Sequence, residues 1–122
     1  MALEEISRSR WFGFLDQFGR QHRRWLVTLE REHPDGQSYM LAHEVPLEGI
    51  VLTGEGVVEA ELGGRKKAGP QKERVRNPER ILLASRSDGA HEGLRIEQTD
   101  GGVTTLRFRA TARPEQIDGL AG

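Results

Sequence analysis

The chain contains no cysteine. That removes disulfide scaffolds, thiolate zinc sites and cysteine nucleophiles at once, and it fits a cytoplasmic location. Long apolar runs are also missing: no stretch approaches the roughly 18 consecutive apolar residues that a membrane-spanning helix needs. The opening Met1 to Arg10 carries Glu4 and Glu5 where a signal peptide would carry an apolar core. Aromatic residues are scarce at 6%, and the apolar fraction of 35% lies below the usual globular range. Net charge is also nearly absent, at −1, which argues against a globally basic nucleic-acid binder. A chain of 122 residues fits one domain with a thin core, either one helix on a sheet or a small barrel.

The apolar residues that are present fall into periodic segments, so the low apolar fraction does not indicate disorder. From Arg8 to Arg20, Trp11, Phe12, Phe14, Leu15 and Phe18 mark one face of a helix, with Arg8, Arg10, Asp16, Gln17 and Arg20 mainly on the other. Ser7 or Ser9 is placed to cap its first turn. Gly13 in mid-helix costs about 1 kcal/mol relative to alanine, which predicts close packing there. Three of the four phenylalanines and one of the two tryptophans lie in this stretch. It therefore reads as a core element.

The remainder alternates like strands. Trp25 to Glu32 and Ser38 to Val45 form a hairpin around His33-Pro34-Asp35-Gly36, with Val27 expected beside Ala42 and Leu29 beside Met40. Ile50 to Thr53 and Val57 to Leu62 follow, with Val58, Ala60 and Leu62 pointing one way and Glu59 and Glu61 the other. Ile81 to Ser85, Leu94 to Gln98 and Thr104 to Arg109 complete the set. In the last hairpin a loop of Asp100-Gly101-Gly102 pairs Ile96 with Leu106 and Leu94 with Phe108, which keeps apolar residues on one face. The fold expected is α+β: an N-terminal amphipathic helix packed on a mainly antiparallel meander sheet, or a small β-barrel, of about six or seven strands. One domain covers residues 1–112, residues 64–77 form a basic surface loop, and residues 113–122 form a frayed tail.

The search for chemistry is largely negative. Gly64-Arg65-Lys66-Lys67-Ala68-Gly69 opens like a phosphate loop, but Pro70 and Gln71 stand where such a loop needs Lys and Ser or Thr before a helix. His22, His33, His43 and His91 show no local metal-binding spacing. Glu59 and Glu61 share a strand face at about 7 Å, as solvated strand edges commonly do. No enzyme class is supported, and no catalytic residue, metal or cofactor is assigned.

Charge segregation is the anomaly. Glu44 to Gly64 holds five acidic residues and no Lys or Arg, whereas Arg65 to Arg80 holds seven basic residues against two acidic ones. Arg65, Lys66, Lys67, Lys72, Arg74 and Arg76 are the candidate contacts for a polyanion, and such contacts give salt-sensitive affinity. No aromatic residue is interleaved to stack a base. The competing expectation is that the basic stretch folds back over its acidic neighbour.

Several blocks resemble a family of small, uncharacterised bacterial proteins known only as a domain of unknown function. Ser7-Arg8-Ser9-Arg10-Trp11 with Phe14, Leu15 and Phe18 resembles its Trp-led first helix, and Pro46-Leu47-Glu48-Gly49-Ile50 its Pro-Leu-x-Gly-Ile block. Arg74-Val75-Arg76-Asn77-Pro78-Glu79-Arg80-Ile81 is similar to its apolar-x-x-Pro-x-x-Ile stretch, and Asp100-Gly101 to its closing hairpin. The basic insertion from Gly64 to Lys72 departs from the pattern. The resemblance implies a bacterial source and a shared fold, and it carries no site residues.

The functional expectation is a non-catalytic binding or accessory module for an unknown protein partner, working through a sheet face or edge. The alternative is weak, phosphate-directed nucleic-acid binding through residues 65–80. A buried His43 in a deep apolar pocket favours ligand binding or catalysis. A basic face joining the loop to Arg20, Arg23 and Arg24 favours nucleic acid, and an open sheet edge favours a protein partner.

Overall fold

The computed structural model describes residues 2–64 and 69–112. Its elements in chain order are β1 (Ala2–Ile6), a 3-10 turn (Arg8–Arg10), α1 (Trp11–Gln21), β2 (Leu26–Glu32), β3 (Ser38–Leu52) and β4 (Val58–Leu62). There follow β5 (Gln71–Val75), β6 (Pro78–Ser85), β7 (His91–Gln98) and β8 (Val103–Ala112). All eight strands join one antiparallel sheet in the order β1-β6-β7-β8-β2-β3-β4-β5. The α+β expectation holds, with eight strands in place of six or seven. The sheet is open, with β1 and β5 at its edges, and it is not a barrel. Nor is it a simple meander, because β8 returns to lie between β7 and β2.

Helix α1 buries Trp11, Leu15, Phe18 and Gly19, a stripe narrower than the aromatic content suggests. Phe12 points to solvent at 69% exposure, and Phe14 is partly buried. The Trp11 indole N–H donates to the Ile6 carbonyl at 2.9 Å, tying the helix to β1. No serine hydroxyl caps the first turn; Ser7 contributes its carbonyl, which accepts the Arg10 N–H at 2.9 Å. The close approach also falls elsewhere than expected. Gly13 faces open space, whereas a Cβ on Gly19 would lie 2.8 Å from the Ile50 nitrogen. Gly19 thus lets α1 press its backbone directly on β3.

Strand β3 runs unbroken through Pro46, where the sequence pattern suggests two separate strands. Its first half pairs with β2 and its second with β4, with register slips on both sides of the proline. Pro46 offers no N–H, but its carbonyl accepts the Gly63 N–H, and the Leu47 N–H donates to the Trp25 carbonyl. A bulge in the β2–β3 hairpin pairs Leu29 with Ala42 and Glu30 with Met40, two residues and one residue from the expected partners, and Met40 is exposed. In the β7–β8 hairpin the loop has the expected three residues but begins one residue earlier. Gln98 N–H bonds the Gly102 carbonyl, and Leu94 meets Leu106 while Ile96 meets Thr104. A shift of two residues preserves the faces, so Leu94, Ile96, Leu106 and Phe108 remain in the core as patterning required.

The expected 64–77 loop is corrected by β5. Val75 sits opposite Val58 and is buried, while Arg74 and Lys72 stand opposite Glu59 and Glu61. An edge strand needs only one apolar residue to anchor it when its outward side chains answer the charges of the neighbouring strand. The tail expectation for residues 113–122 lies outside the described residues.

Candidate ligand-binding cleft

Val27 and Leu29 of β2 point into the core, and Arg31 occupies the next inward position. Its partner across the ladder is Thr104 of β8, which is 2% exposed. Arg31 Nε donates to Thr104 Oγ1 at 3.2 Å, and Nη2 donates to the Arg74 carbonyl at 2.8 Å. Two arginines are half-buried among the described residues. Arg95 donates to Glu97 at 2.9 Å, whereas Arg31 forms no ion pair. A fixed guanidinium held only by neutral oxygens keeps its charge uncompensated.

Around Arg31 three turns converge on a cleft of about 290 Å³. The tip of the β2–β3 hairpin brings Glu32 and His33, the β7–β8 tip brings Gln98 and Asp100, and the β5–β6 corner brings Arg76 and Asn77. The corner is clamped in place: Gln98 Nε2 donates to the Arg76 carbonyl at 2.9 Å and Thr99 N–H to the Asn77 carbonyl at 3.0 Å. Asn77 adopts a left-handed φ of 52°, which asparagine tolerates better than most residues. Arg76 forms no ion pair among the described residues. Asp100 Oδ1 accepts the Gly102 N–H at 2.8 Å, and Glu32 is exposed at the rim.

The residues proposed for polyanion contact divide. Lys72 and Arg74 lie 3.7 Å and 2.9 Å from the carboxylate of Glu59, whose side chain is only 14% exposed. This part of the basic stretch folds back over its acidic neighbour. Arg74 and Arg76 line the cleft, and Arg65, Lys66 and Lys67 lie outside the described residues. Arg20 is paired with Asp16 on α1.

His43, the histidine singled out for burial, is 61% exposed beside Glu44. The buried imidazole is His22, the C-cap of α1, packed between the rings of Phe18 and Phe108 at 4.3 Å and 4.6 Å. Its Nδ1 lies 2.8 Å from the Phe18 carbonyl and therefore donates to it. His91 Nδ1 approaches His22 Nε2 at 3.2 Å, so in the neutral pair His91 donates and His22 accepts. Burial lowers the His91 pKa from the ordinary histidine value, and the negative charge of Glu4 partly opposes that shift. The two histidines are 69 residues apart, and no local spacing announces them.

A larger crevice of about 390 Å³ is bordered by Leu3, Ala84, Gly93, Arg95, Arg107 and Arg109. The charged heads of these arginines are drawn to Glu97, Glu30 and Glu44, so the crevice presents mainly their apolar stems, with Glu92 also in its lining.

The architecture defines an open antiparallel α+β sheet domain with a polar cleft at one end of its central strands. Over residues 2–117 the chain matches a family described as a family of unknown function (DUF5335), and it belongs to that family. No curated protein and no solved structure matches it.

Proposed function

We propose that this protein is a non-catalytic binding module that holds an anionic group of its ligand in the Arg31–Arg76 cleft. The observation that carries the reading is Arg31, an arginine in the core phase of a strand, fixed by two neutral acceptors and lacking a carboxylate partner. Arginine donates through five N–H groups, and two of those on Arg31 are engaged. Three remain for a ligand. The non-catalytic part rests on the lining, which has no Ser, Thr, Cys or Lys to serve as an activated nucleophile.

The test is a backbone-amide NMR titration with inorganic phosphate, acetate and glucose as separate probes. Shift changes gathered on residues 31–33, 76–77 and 98–102 are expected with at least one anion and not with glucose. Changes confined to the crevice around Gly93, or no saturable change with any probe, would refute the reading.

A further inference from the structure

The geometry points to a narrower ligand class for this cleft: a small phosphorylated molecule with hydroxyl or amine groups beside its phosphate, rather than a polynucleotide. This rests on the binding reading above and adds the identity of the group bound.

Three features select it. First, the guanidinium groups converge from separate elements, Arg31 from β2, Arg74 from β5 and Arg76 from the β5–β6 corner. A tetrahedral oxyanion with three terminal oxygens can accept donors from several directions, whereas a planar carboxylate is served by one fork. Second, Glu32 and Asp100 stand in the same lining, yet neither is ion-paired to an arginine. Carboxylates at the rim of an anion site accept hydrogen bonds from the ligand's own O–H or N–H groups next to the anion. Third, those carboxylates oppose a long polyanion. A strand of phosphates leaving the cleft past Arg74 and Arg76 meets Glu55 in the adjoining groove, and one leaving past the tips meets Glu32 and Asp100. Repulsion on both sides admits one phosphate and rejects a succession of them.

Phosphate could be presented by a sugar phosphate or by a mononucleotide, and the experiment separates these. The intact protein is titrated at about 150 mM salt with inorganic phosphate, acetate, glucose 6-phosphate, adenosine monophosphate and a single-stranded oligonucleotide, following the cleft amides by NMR. Phosphate is expected to bind more tightly than acetate, and at least one of the two phosphorylated small molecules more tightly than inorganic phosphate. The oligonucleotide is expected to bind no more tightly per phosphate than the free ion. Arg31→Gln is expected to weaken phosphate binding by about tenfold or more, the loss of a charged hydrogen-bonding partner. Arg80→Gln, which removes a guanidinium paired with Glu5 and Glu97, is expected to leave it unchanged. Should Arg31→Gln fail to fold, Arg76→Gln at an exposed position carries the same expectation. If acetate matches phosphate, or both phosphorylated molecules bind no better than the free ion, the ligand class is wrong while the cleft remains a binding site. Tight oligonucleotide binding at this salt overturns the inference in favour of nucleic acid. If no probe moves the cleft amides, the underlying binding reading falls as well.

Discussion

Strands β7, β8 and β2 carry a polar cluster at each end, and the two clusters are built on opposite terms. At the end where α1 stops, His22 and His91 meet within a cage of Phe18, Trp25 and Phe108, and the ring nitrogens pass hydrogen bonds to one another and to a helix carbonyl. At the other end Arg31 is held by two neutral oxygens and forms no ion pair among the described residues. Buried polar groups that satisfy each other contribute to a unique packing; a positioned charge left open forgoes stability in favour of binding. On the proposed reading, the difference separates a structural polar cluster from a receptive one, the more deeply buried cluster being the structural one.

The sharpest way to break the histidine end is Gly93→Ala. Gly93 has a φ of 152°, and a Cβ there would lie 1.9 Å from the Leu106 carbonyl oxygen. This position is in the irregularity that sets His91 back from its ladder and beside His22. Because backbone meets backbone, no side-chain rotation relieves the clash, and a loss above about 4 kcal/mol is expected in urea unfolding. A variant with near-native stability would show that the bulge rearranges at little cost.

Phe18→Ala comes next, with an expected loss of about 3–5 kcal/mol measured by thermal unfolding. It removes one wall of the His22 cage and a buried contact to Phe108. The amides around Arg31 and Asn77 are expected to keep their NMR positions. If they shift along with those near His22, the two ends are coupled and the contrast between them is overdrawn.

A smaller effect follows from acid. The His91 pKa in the folded protein is lowered by burial below the ordinary value of 6.5. As pH falls through the window just below that value, the unfolded chain takes up its proton before the folded one does. Stability is therefore full above that window and declines within it. Urea unfolding at a series of pH values should show this decline in the wild type and a flatter profile in His91→Gln. Parallel profiles would assign the decline to other groups.

The smallest expected change in stability is at the receptive end. Arg31→Gln is predicted to alter folding stability by no more than about 1 kcal/mol, because it exchanges two hydrogen bonds for relief of an uncompensated charge. A loss comparable with that of Phe18→Ala would reassign Arg31 to a structural role.

Much of the fold was legible because burial imposes periodicity. The helical stripe through Trp11, Leu15 and Phe18, and the inward set Val58, Ala60 and Leu62, are both visible in the sequence and buried in the fold. Strands β1 and β5 were not legible. Each lies at an edge and buries one terminal apolar side chain, Ile6 or Val75, so neither generates an alternating pattern. The cleft was half legible: Arg74 and Arg76 stood out by charge, but Arg31 did not. A signal for it was present nonetheless, since Val27, Leu29 and Arg31 keep one phase and an arginine in the phase of a core strand calls for an explanation. What local sequence does not encode is the strand order that sets Arg31 against Thr104, or His22 against His91.

The position of β8 in that order has a consequence for how the chain is made. It is the last strand among the described residues, yet it forms the seam between β1-β6-β7 and β2-β3-β4-β5. During synthesis the two parts can form their local hairpins, but they share no ladder until residues 103–109 have left the ribosome. Loop closure over long separations must precede the contacts that reward it, which slows folding. A nascent chain stalled before β8 therefore exposes β2 and β7 as two extra unpaired edges, the state most open to wrong pairing and most in need of a chaperone's protection.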